Sequence, residues 1–197
     1  MPEKVILASA SPRRAELLKQ LGLSFDVLPV DIDESPRAGE SPADYVCRLA
    51  REKALAGYRR RDRADALVLG SDTTVVLDDD ILGKPAHGSE ARALLHRLSG
   101  RSHQVMTGVA LASANGVEVR VSVTDVNFRN LEECEIDAYC ATGEPMDKAG
   151  GYGIQGRGGA FVTGIRGSYS AVVGLPLDIT AGLLAEAGSP VWDYWNS

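Results

Sequence analysis

The alternation of apolar and polar residues along the chain predicts a strand that leads directly into a helix. Residues 5–8 form an apolar, partly β-branched run, as expected of a buried strand. A few residues later the apolar side chains recur at helical spacing, at Leu17, Leu18 and Leu21. Ser11 and Pro12 are typical of a helix start, and Gly22 is typical of the residue after the last turn. The limits of this first helix are therefore well indicated.

The remaining elements follow from the same patterns and their turn residues. A second strand is predicted at 25–30, and Ser41 and Pro42 begin a helix that we expect to end near Gly57. A buried strand at 66–77 returns through an Asp78-Asp79-Asp80 turn. The later predictions are an amphipathic helix at 89–98, a hairpin of 103–112 and 117–128 through Asn115-Gly116, a capping box at 130–133 that opens a further helix, a strand at 168–174, and a closing helix from Pro176 to about Gly188.

Arg13 and Arg14 lie in the first turn of the first helix, where positive charge opposes the helix dipole. Small residues precede them, and the first N–H groups of a helix lack internal partners, so an anion could approach the backbone there. A polyphosphate would compensate for the placement of the arginines, because guanidinium groups bind phosphate oxygens in pairs. The alternative is a solvated turn whose arginines pair with acidic neighbours. These residues alone leave both interpretations open.

Asp72 interrupts the apolar run at 66–77. Burying a carboxylate without a partner is costly, so we expect a cation, a set of donors or a reaction at this position. The structural alternative is a carboxylate satisfied by backbone N–H groups at a β-bulge. The hairpin that follows should bring Lys84 alongside Asp72, where a lysine would help to hold phosphate charge.

Glu34, Lys53 and the glycine-rich segment are further candidates. The acidic loop at 31–36 contains Glu34, which could bind a divalent metal or simply be solvated. Lys53 is most simply explained as a surface lysine of the second helix. The glycine-rich segment at 147–161 matches no phosphate-binding motif and could be merely flexible. It nevertheless supplies a cation, an aromatic face and an amide that could recognise a base, from Lys148, Tyr152 and Gln155.

Composition narrows the class of protein. With 197 residues and 44% hydrophobic residues, the chain can form a single domain over 1–197. A net charge of −6 argues against a nucleic-acid polymer as partner. No apolar run is long enough to span a membrane, and no secretory signal precedes the first strand, so we expect a cytoplasmic protein. The three cysteines are odd in number and lack metal-site spacing, which predicts reduced thiols in packed positions.

Taken together, the motifs resemble the Maf family of nucleotide pyrophosphatases, also called septum-formation proteins. Any one motif would be modest support, whereas their order and spacing over nearly the whole chain are specific. The match runs through Leu7-Ala8-Ser9-Ala10-Ser11-Pro12-Arg13-Arg14, Gly70-Ser71-Asp72-Thr73, Gly83-Lys84-Pro85, Gly151-Tyr152-Gly153-Ile154-Gln155-Gly156, Gly167-Ser168-Tyr169 and Val172-Val173-Gly174-Leu175-Pro176.

The resemblance implies an α/β fold similar to inosine triphosphate pyrophosphatases, with a mixed elongated sheet flanked by helices and two lobes around a central cleft. It implies hydrolysis of dTTP and UTP to the monophosphate and diphosphate, with a divalent cation (Mg²⁺ or Mn²⁺) as cofactor. It also implies a cytoplasmic enzyme and a possible homodimer. The small-molecule partner would be a nucleotide, with CTP or modified pyrimidine nucleotides as further substrates.

The resemblance also assigns roles to individual residues. Asp72 would be the catalytic base, and Glu34 and Asp72 would bind the metal. Substrate would be bound by Arg13, Arg14, Lys53, Thr73, Lys84 and Gln155, of which Arg13, Thr73 and Gln155 would select the base. The alternative function is a non-enzymatic nucleotide-binding regulator of cell division. A regulator has little use for a carboxylate directed at a triphosphate, so Asp72 favours the enzyme.

Overall fold

The computed structural model describes residues 4–62 and 65–195. Within them, seven strands form one sheet: β1 (Val5–Leu7), β2 (Phe25–Val27), β3 (Leu67–Leu77), β4 (Asp80–Leu82), β5 (Ser102–Ser113), β6 (Gly116–Phe128) and β7 (Val162–Arg166). The α-helices of the same residues are α1 (Pro12–Gln20), α2 (Pro42–Arg60), α3 (Gly88–Leu98), α4 (Glu133–Ala141), α5 (Tyr169–Val173) and α6 (Leu177–Glu186). Short 3₁₀ helices occupy Glu144–Asp147, Ala149–Gly151, Arg157–Phe161 and Val191–Tyr194.

The sheet is mixed, with strand order β2-β1-β3-β5-β6-β7 and β4 paired to β3. β1 is parallel to both β2 and β3, whereas the pairs β3–β4, β3–β5, β5–β6 and β6–β7 are antiparallel. The connections that lead to parallel strands contain helices, as such crossovers require. The predicted α/β class with a mixed sheet flanked by helices is confirmed.

Two apolar cores lie at opposite ends of β3. The first contains Leu67 and Leu69 with side chains of α1 and α6, and the second contains Val75 and Leu77 with side chains of α3 and α4. The polar residues of β3 fall between these two cores. This arrangement separates two packed regions and leaves the middle of β3 for a cleft.

Local sequence signals account for several element boundaries. The Ser11 hydroxyl accepts a hydrogen bond from the Arg14 backbone N–H at 3.4 Å, and Gly22 has φ of 73°, so both predicted ends of α1 are confirmed. The turn between β3 and β4 places Asp78 and Asp79 at positive φ, a conformation that aspartate tolerates. The long hairpin of β5 and β6 is also confirmed.

One predicted strand and one predicted capping position are wrong. Residues 168–174 form no strand, because the Ser168 hydroxyl accepts a hydrogen bond from the Ala171 backbone N–H and caps the short helix α5. The capping box of α4 lies two residues later than predicted. It uses Glu132 and Glu135, because Glu135 also forms a paired hydrogen bond with the Arg129 guanidinium.

Smaller differences concern lengths and exposure. β2 ends at Val27 and α2 continues to Arg60. All three cysteines are free, but Cys134 is exposed and not packed as expected. No helix of the described residues is long and apolar enough to cross a membrane. The prediction about the chain start concerns residues 1–3, which lie outside the described part.

Glycines in β3 and β5 let α2 lie directly against the sheet. A Cβ on Gly108 of β5 would come within 2.4 Å of the Val46 carbonyl oxygen, and Gly70 of β3 is similarly close to the α2 backbone. Only glycine allows so close an approach of two backbones. The contact brings the next turn of α2, which carries Lys53, over the polar residues of β3.

Candidate active site

The cleft opens where one edge of β3 has no neighbouring strand. β1 pairs with β3 only as far as Leu69, and β4 pairs with it only from Val75. No strand of the described residues covers that edge between them, although β5 pairs with the opposite edge throughout. A cavity of about 420 Å³ occupies this opening. It lies next to the carboxyl end of β1 and the start of α1, a usual place for ligands in α/β sheets.

All eight residues predicted to act at the site line this cavity. They come from the start of α1, the acidic loop, α2, β3, the segment after β4 and the glycine-rich segment. The residues are Arg13, Arg14, Glu34, Lys53, Asp72, Thr73, Lys84 and Gln155. The sequence therefore identified a set that the fold brings together, while the role of each residue stays a prediction.

Asp72 is buried, and its partner is a lysine. The Lys53 ammonium lies 2.7 Å from Asp72 Oδ1, and both residues are 8% exposed. The register of β3 with β5 is continuous through this position, so a carboxylate satisfied at a β-bulge is ruled out as the explanation. The simplest explanation of Lys53, a surface lysine, is also wrong, because α2 holds it against the sheet.

Glu34 is the second carboxylate at the Lys53 ammonium, at 2.6 Å through its Oε1 atom. Burial opposes its ionisation, but the hydrogen bond from Lys53 and the charges of Lys53, Lys84 and Arg14 together lower the pKa of Glu34. The acidic loop is thus no merely solvated turn: its Glu34 faces the same cation as the buried Asp72.

Two residues of α2 hold the acidic loop in place, and neither was predicted to act there. The Tyr45 hydroxyl donates to the Glu34 carbonyl oxygen at 2.9 Å, and Arg48 donates to the Ser35 carbonyl oxygen at 3.0 Å. Arg48 also binds both carboxylate oxygens of Glu40, at 2.6 and 2.8 Å, and lowers the pKa of Glu40 to about 2. Arg48 lies on a helix and Glu40 on the loop before it. Their pairing could have been predicted only once the path of the loop was known.

Arg14 points into the cavity with neutral partners. Its guanidinium donates to the Gly174 carbonyl oxygen at 2.8 Å and to the Ser9 and Thr73 hydroxyls at 3.3 Å. Burial lowers the pKa of Arg14, and the negative charge of Asp72 opposes that shift. No ion pair within 4.0 Å involves Arg14 in the described part of the chain, so it keeps a positive charge available to an anion.

Arg13 behaves differently from Arg14. Its guanidinium lies 3.2 Å from Asp147 Oδ2, so pairing with an acidic neighbour is correct for Arg13. Asp147 Oδ1 in turn lies 2.6 Å from the Lys148 ammonium. Asp147 was not predicted as a site residue. It links the helix start to the glycine-rich segment and lies between two cations of the cavity.

Thr73 and Asp72 project from opposite faces of β3, as successive strand residues must. The Thr73 hydroxyl lies 3.0 Å from the Thr107 hydroxyl, which donates to the Ala171 carbonyl oxygen at 2.8 Å. Thr107 lies opposite Thr73 in the register of β3 and β5. One ligand can contact both faces only because the edge of β3 is open here.

Lys84 follows β4 and is exposed at the mouth of the cavity. The return of β4 along β3 therefore places it near the site, as the hairpin predicted. Its charge contributes to the lowered pKa of Glu34.

The glycine-rich segment is folded into short turns and closes one side of the cavity. Gly150 has φ of 69°, and a Cβ there would lie 2.9 Å from the Val75 side chain, so only glycine fits. Tyr152 is 6% exposed, and its hydroxyl lies 2.7 Å from His103 Nε2. Its ring packs edge-on against Phe128 at 4.7 Å. Tyr152 therefore anchors the segment in the core while it lines the cavity, and Gln155 is exposed in the same cavity.

The donors at the site suit a divalent cation shared with a ligand. No cluster of three or more His, Cys, Asp or Glu residues among those described could hold a metal by protein groups alone. Asp72 and Glu34 nevertheless converge on one point, now held by the Lys53 ammonium. Mg²⁺ commonly binds one or two carboxylates and completes its coordination with water and substrate phosphates. Two carboxylates beside a cavity lined by arginines and lysines fit that pattern.

Comparisons with known proteins agree with this geometry. Residues 4–187 match the family model described as Maf-like protein. The chain is 53% identical over 190 residues to a dTTP/UTP pyrophosphatase of Hahella chejuensis, with coverage of 96% of this chain and 94% of the relative. It is 56% identical over 190 residues to a dTTP/UTP pyrophosphatase of Shewanella oneidensis, with coverage of 93% and 98%.

A solved structure supports the fold alone. The HAM1 protein from Coxiella burnetii superposes with a TM-score of 0.52 and 18% identity, and the match covers 93% of this chain and 99% of that one. The family model spans nearly the whole sequence and the relatives are more than half identical over nearly their full length. The chain therefore belongs to the Maf-like protein family.

Proposed function

We propose that this protein is a nucleoside triphosphate pyrophosphatase that hydrolyses dTTP and UTP to the monophosphate and diphosphate. The observation that carries the proposal is the single cavity that holds the buried Asp72 together with Arg13, Arg14, Lys53 and Lys84. A triphosphate needs both a cationic lining and a group that activates water. The names of the relatives from Hahella chejuensis and Shewanella oneidensis support the same substrates.

Asp72 is the proposed general base. It orients a water molecule and accepts its proton while the water oxygen bonds to the α-phosphorus and the bond from that phosphorus to the bridging oxygen breaks. The electron pair of the broken bond leaves with the diphosphate. When bound by Asp72 and Glu34, Mg²⁺ or Mn²⁺ would lower the pKa of the water and neutralise phosphate charge.

The cations of the cavity stabilise the charge that develops on the leaving diphosphate. Arg14 can form paired hydrogen bonds with phosphate oxygens without first breaking an ion pair. Lys84 adds a positive charge at the mouth, and Lys53 can turn from the carboxylates toward the phosphates. Arg13 lies beside the glycine-rich segment. Together with Gln155 of that segment and Thr73 of β3, it selects a pyrimidine base. The same pocket would accept CTP or modified pyrimidine nucleotides.

The homodimer and the cytoplasmic location belong to this proposal as well.

A coupled assay tests the proposal. Diphosphate release is followed through inorganic pyrophosphatase and phosphate detection, with dTTP, UTP, CTP, GTP or ATP plus Mg²⁺. We expect turnover with dTTP and UTP that exceeds turnover with the purine nucleotides by at least tenfold. Binding of dTTP without any diphosphate release would overturn the proposal that the protein is an enzyme and would favour the nucleotide-binding regulator. Preferential turnover of GTP or ATP would overturn the substrate assignment.

A further inference from the structure

The Lys53 ammonium occupies the point between the two proposed metal ligands. It lies 2.7 Å from Asp72 Oδ1 and 2.6 Å from Glu34 Oε1. The side chains of Lys53 and Asp72 are 10% and 11% exposed, so water does little to weaken the contact between them, whereas the Glu34 side chain is 50% exposed. The ammonium donates a hydrogen bond to Asp72 and forms an ion pair with Glu34. Lys53 therefore occupies the position that a divalent metal ion would take and supplies one positive charge there.

This placement has a consequence for metal binding. Two carboxylates close together repel each other unless a positive charge lies between them, and Lys53 provides that charge. A divalent cation at the same point would be repelled by the ammonium, because the two positive charges would be close together. Displacing Lys53 without an alternative anion would leave a buried ammonium unpaired, which is costly.

A bound triphosphate would lower the cost of displacing Lys53 by a metal ion. Its oxygens would offer the Lys53 ammonium new partners on the cavity side and would supply further ligands to a divalent ion. Arg14 and Lys84 line the same cavity and favour the approach of such an anion. Metal and nucleotide would then bind together, each weakly without the other.

We propose that Lys53 is a positioning residue that holds Glu34 and Asp72 together in the free protein and makes metal binding depend on the nucleotide. The inference rests on the proposed function, because it takes Glu34 and Asp72 as the metal ligands. The inference goes beyond the phosphate contact proposed for Lys53, because it gives Lys53 a role in the protein without bound nucleotide.

The test measures Mn²⁺ binding to the full chain without nucleotide, from the electron paramagnetic resonance signal of free Mn²⁺. We expect weak binding by the unaltered protein and at least tenfold tighter binding by Lys53→Met. Lys148→Met is the matched control, because it removes one cation from the same cavity that contacts neither Glu34 nor Asp72. A gain for Lys148→Met should stay below threefold. Adding Glu34→Gln to Lys53→Met should abolish the gain.

Lys53→Gln covers the case in which Lys53→Met does not fold, because the amide can still donate to Asp72. Thermal unfolding with and without Mn²⁺ gives a second readout: the ion should raise the Tm of the Lys53 variants but not that of the unaltered protein. Equal Mn²⁺ affinity of the unaltered protein and both Lys53 variants would overturn the inference. Because no turnover is measured, that failure is distinct from a failure to release diphosphate.

Discussion

Gly70 of β3 lies so close to α2 that a Cβ on it would come within 2.3 Å of the Ala50 carbonyl oxygen. The contact is between two backbones, so no side-chain rotation could relieve it. This approach sets the distance between α2 and β3, and with it the ion pair of Lys53 and Asp72.

The first prediction concerns Gly70→Ala. The added methyl group must push α2 away from the sheet, and we expect the free energy of unfolding to fall by about 1–3 kcal/mol. Turnover should fall as well, since Lys53 moves with the helix. Chemical denaturation measures the first effect. The control is Gly182→Ala in α6, where a Cβ meets nothing within 4 Å and alanine should stabilise the helix by about 0.5–1 kcal/mol. Equal stability of Gly70→Ala and the unaltered protein would contradict the packing described above.

The second prediction concerns Asp72→Asn. Removal of a general base should lower kcat for dTTP by about 10²–10⁴-fold, whereas KM should change by a smaller factor, because the amide oxygen of asparagine can still bind a metal. The fold should persist, because Lys53 retains Glu34 as a partner. Asp147→Asn, in the same cavity, should lower kcat less than tenfold. Near-normal turnover of Asp72→Asn would remove Asp72 from the mechanism.

The third prediction concerns Arg14→Lys. A lysine keeps the charge but cannot reach the Gly174 carbonyl oxygen and two hydroxyls at once, so the cation would be poorly placed for phosphate. We expect kcat/KM for dTTP to fall about 10- to 100-fold, as loss of one to two charged hydrogen bonds implies. Arg51→Lys, on the exposed side of α2, should leave kcat/KM unchanged. If both variants behave alike, the geometry of the Arg14 guanidinium is irrelevant.

The fourth prediction separates base recognition from phosphate recognition. Gln155→Leu keeps the size of the side chain and removes its hydrogen-bonding groups, so KM for dTTP and UTP should rise at least tenfold, about the free energy of one hydrogen bond. Inhibition by inorganic tripolyphosphate should be unaffected by Gln155→Leu and weakened by Arg14→Lys. Equal losses of tripolyphosphate inhibition in the two variants would argue against a base contact for Gln155.

The fifth prediction concerns pH and His103. Burial lowers the pKa of His103 from 6.5 to about 4, and in the described residues its Nδ1 atom has no hydrogen-bond partner. The unfolded chain therefore binds the proton first as pH falls from 6.5 to 4, and the folded state loses stability in that window. A difference of this size contributes up to about 3 kcal/mol.

His103→Gln tests this expectation, because glutamine can still bond to the Tyr152 hydroxyl but does not titrate. Its free energy of unfolding should fall less steeply between pH 7 and pH 4 than that of the unaltered protein. Parallel curves for the two proteins would show that His103 is not protonated on unfolding.

Local signals allowed part of this structure to be predicted. Ser11, Pro12 and Gly22 fix the limits of α1 through hydrogen bonds and φ angles that involve only neighbouring residues. The interruption of an apolar strand by Asp72 pointed to a buried acid with a partner. The identity of that partner could not be predicted, because Lys53 reaches Asp72 only after α2 packs on Gly70 and Gly108.

The errors have the same physical origin. Residues 168–174 are apolar and β-branched enough for a strand, but one serine hydroxyl bonded to a nearby N–H gives the segment a helical turn. Tyr152 lines the cavity, as the glycine-rich segment suggested, but most of its ring is buried, because the buried His103 provides its hydroxyl with a partner in the core. In both segments a single polar contact sets a local geometry that the sequence pattern did not indicate.

The open edge of β3 has one more consequence. The Leu69 carbonyl oxygen bonds to Ala8 at that edge, and main-chain groups in a strand face the same edge at every second residue, so the N–H and C=O of Thr73 also turn toward the cleft. Side-chain replacement at position 73 leaves both groups in place. An alanine scan therefore does not test this part of the binding surface. Only proline, which lacks the N–H, would remove the donor.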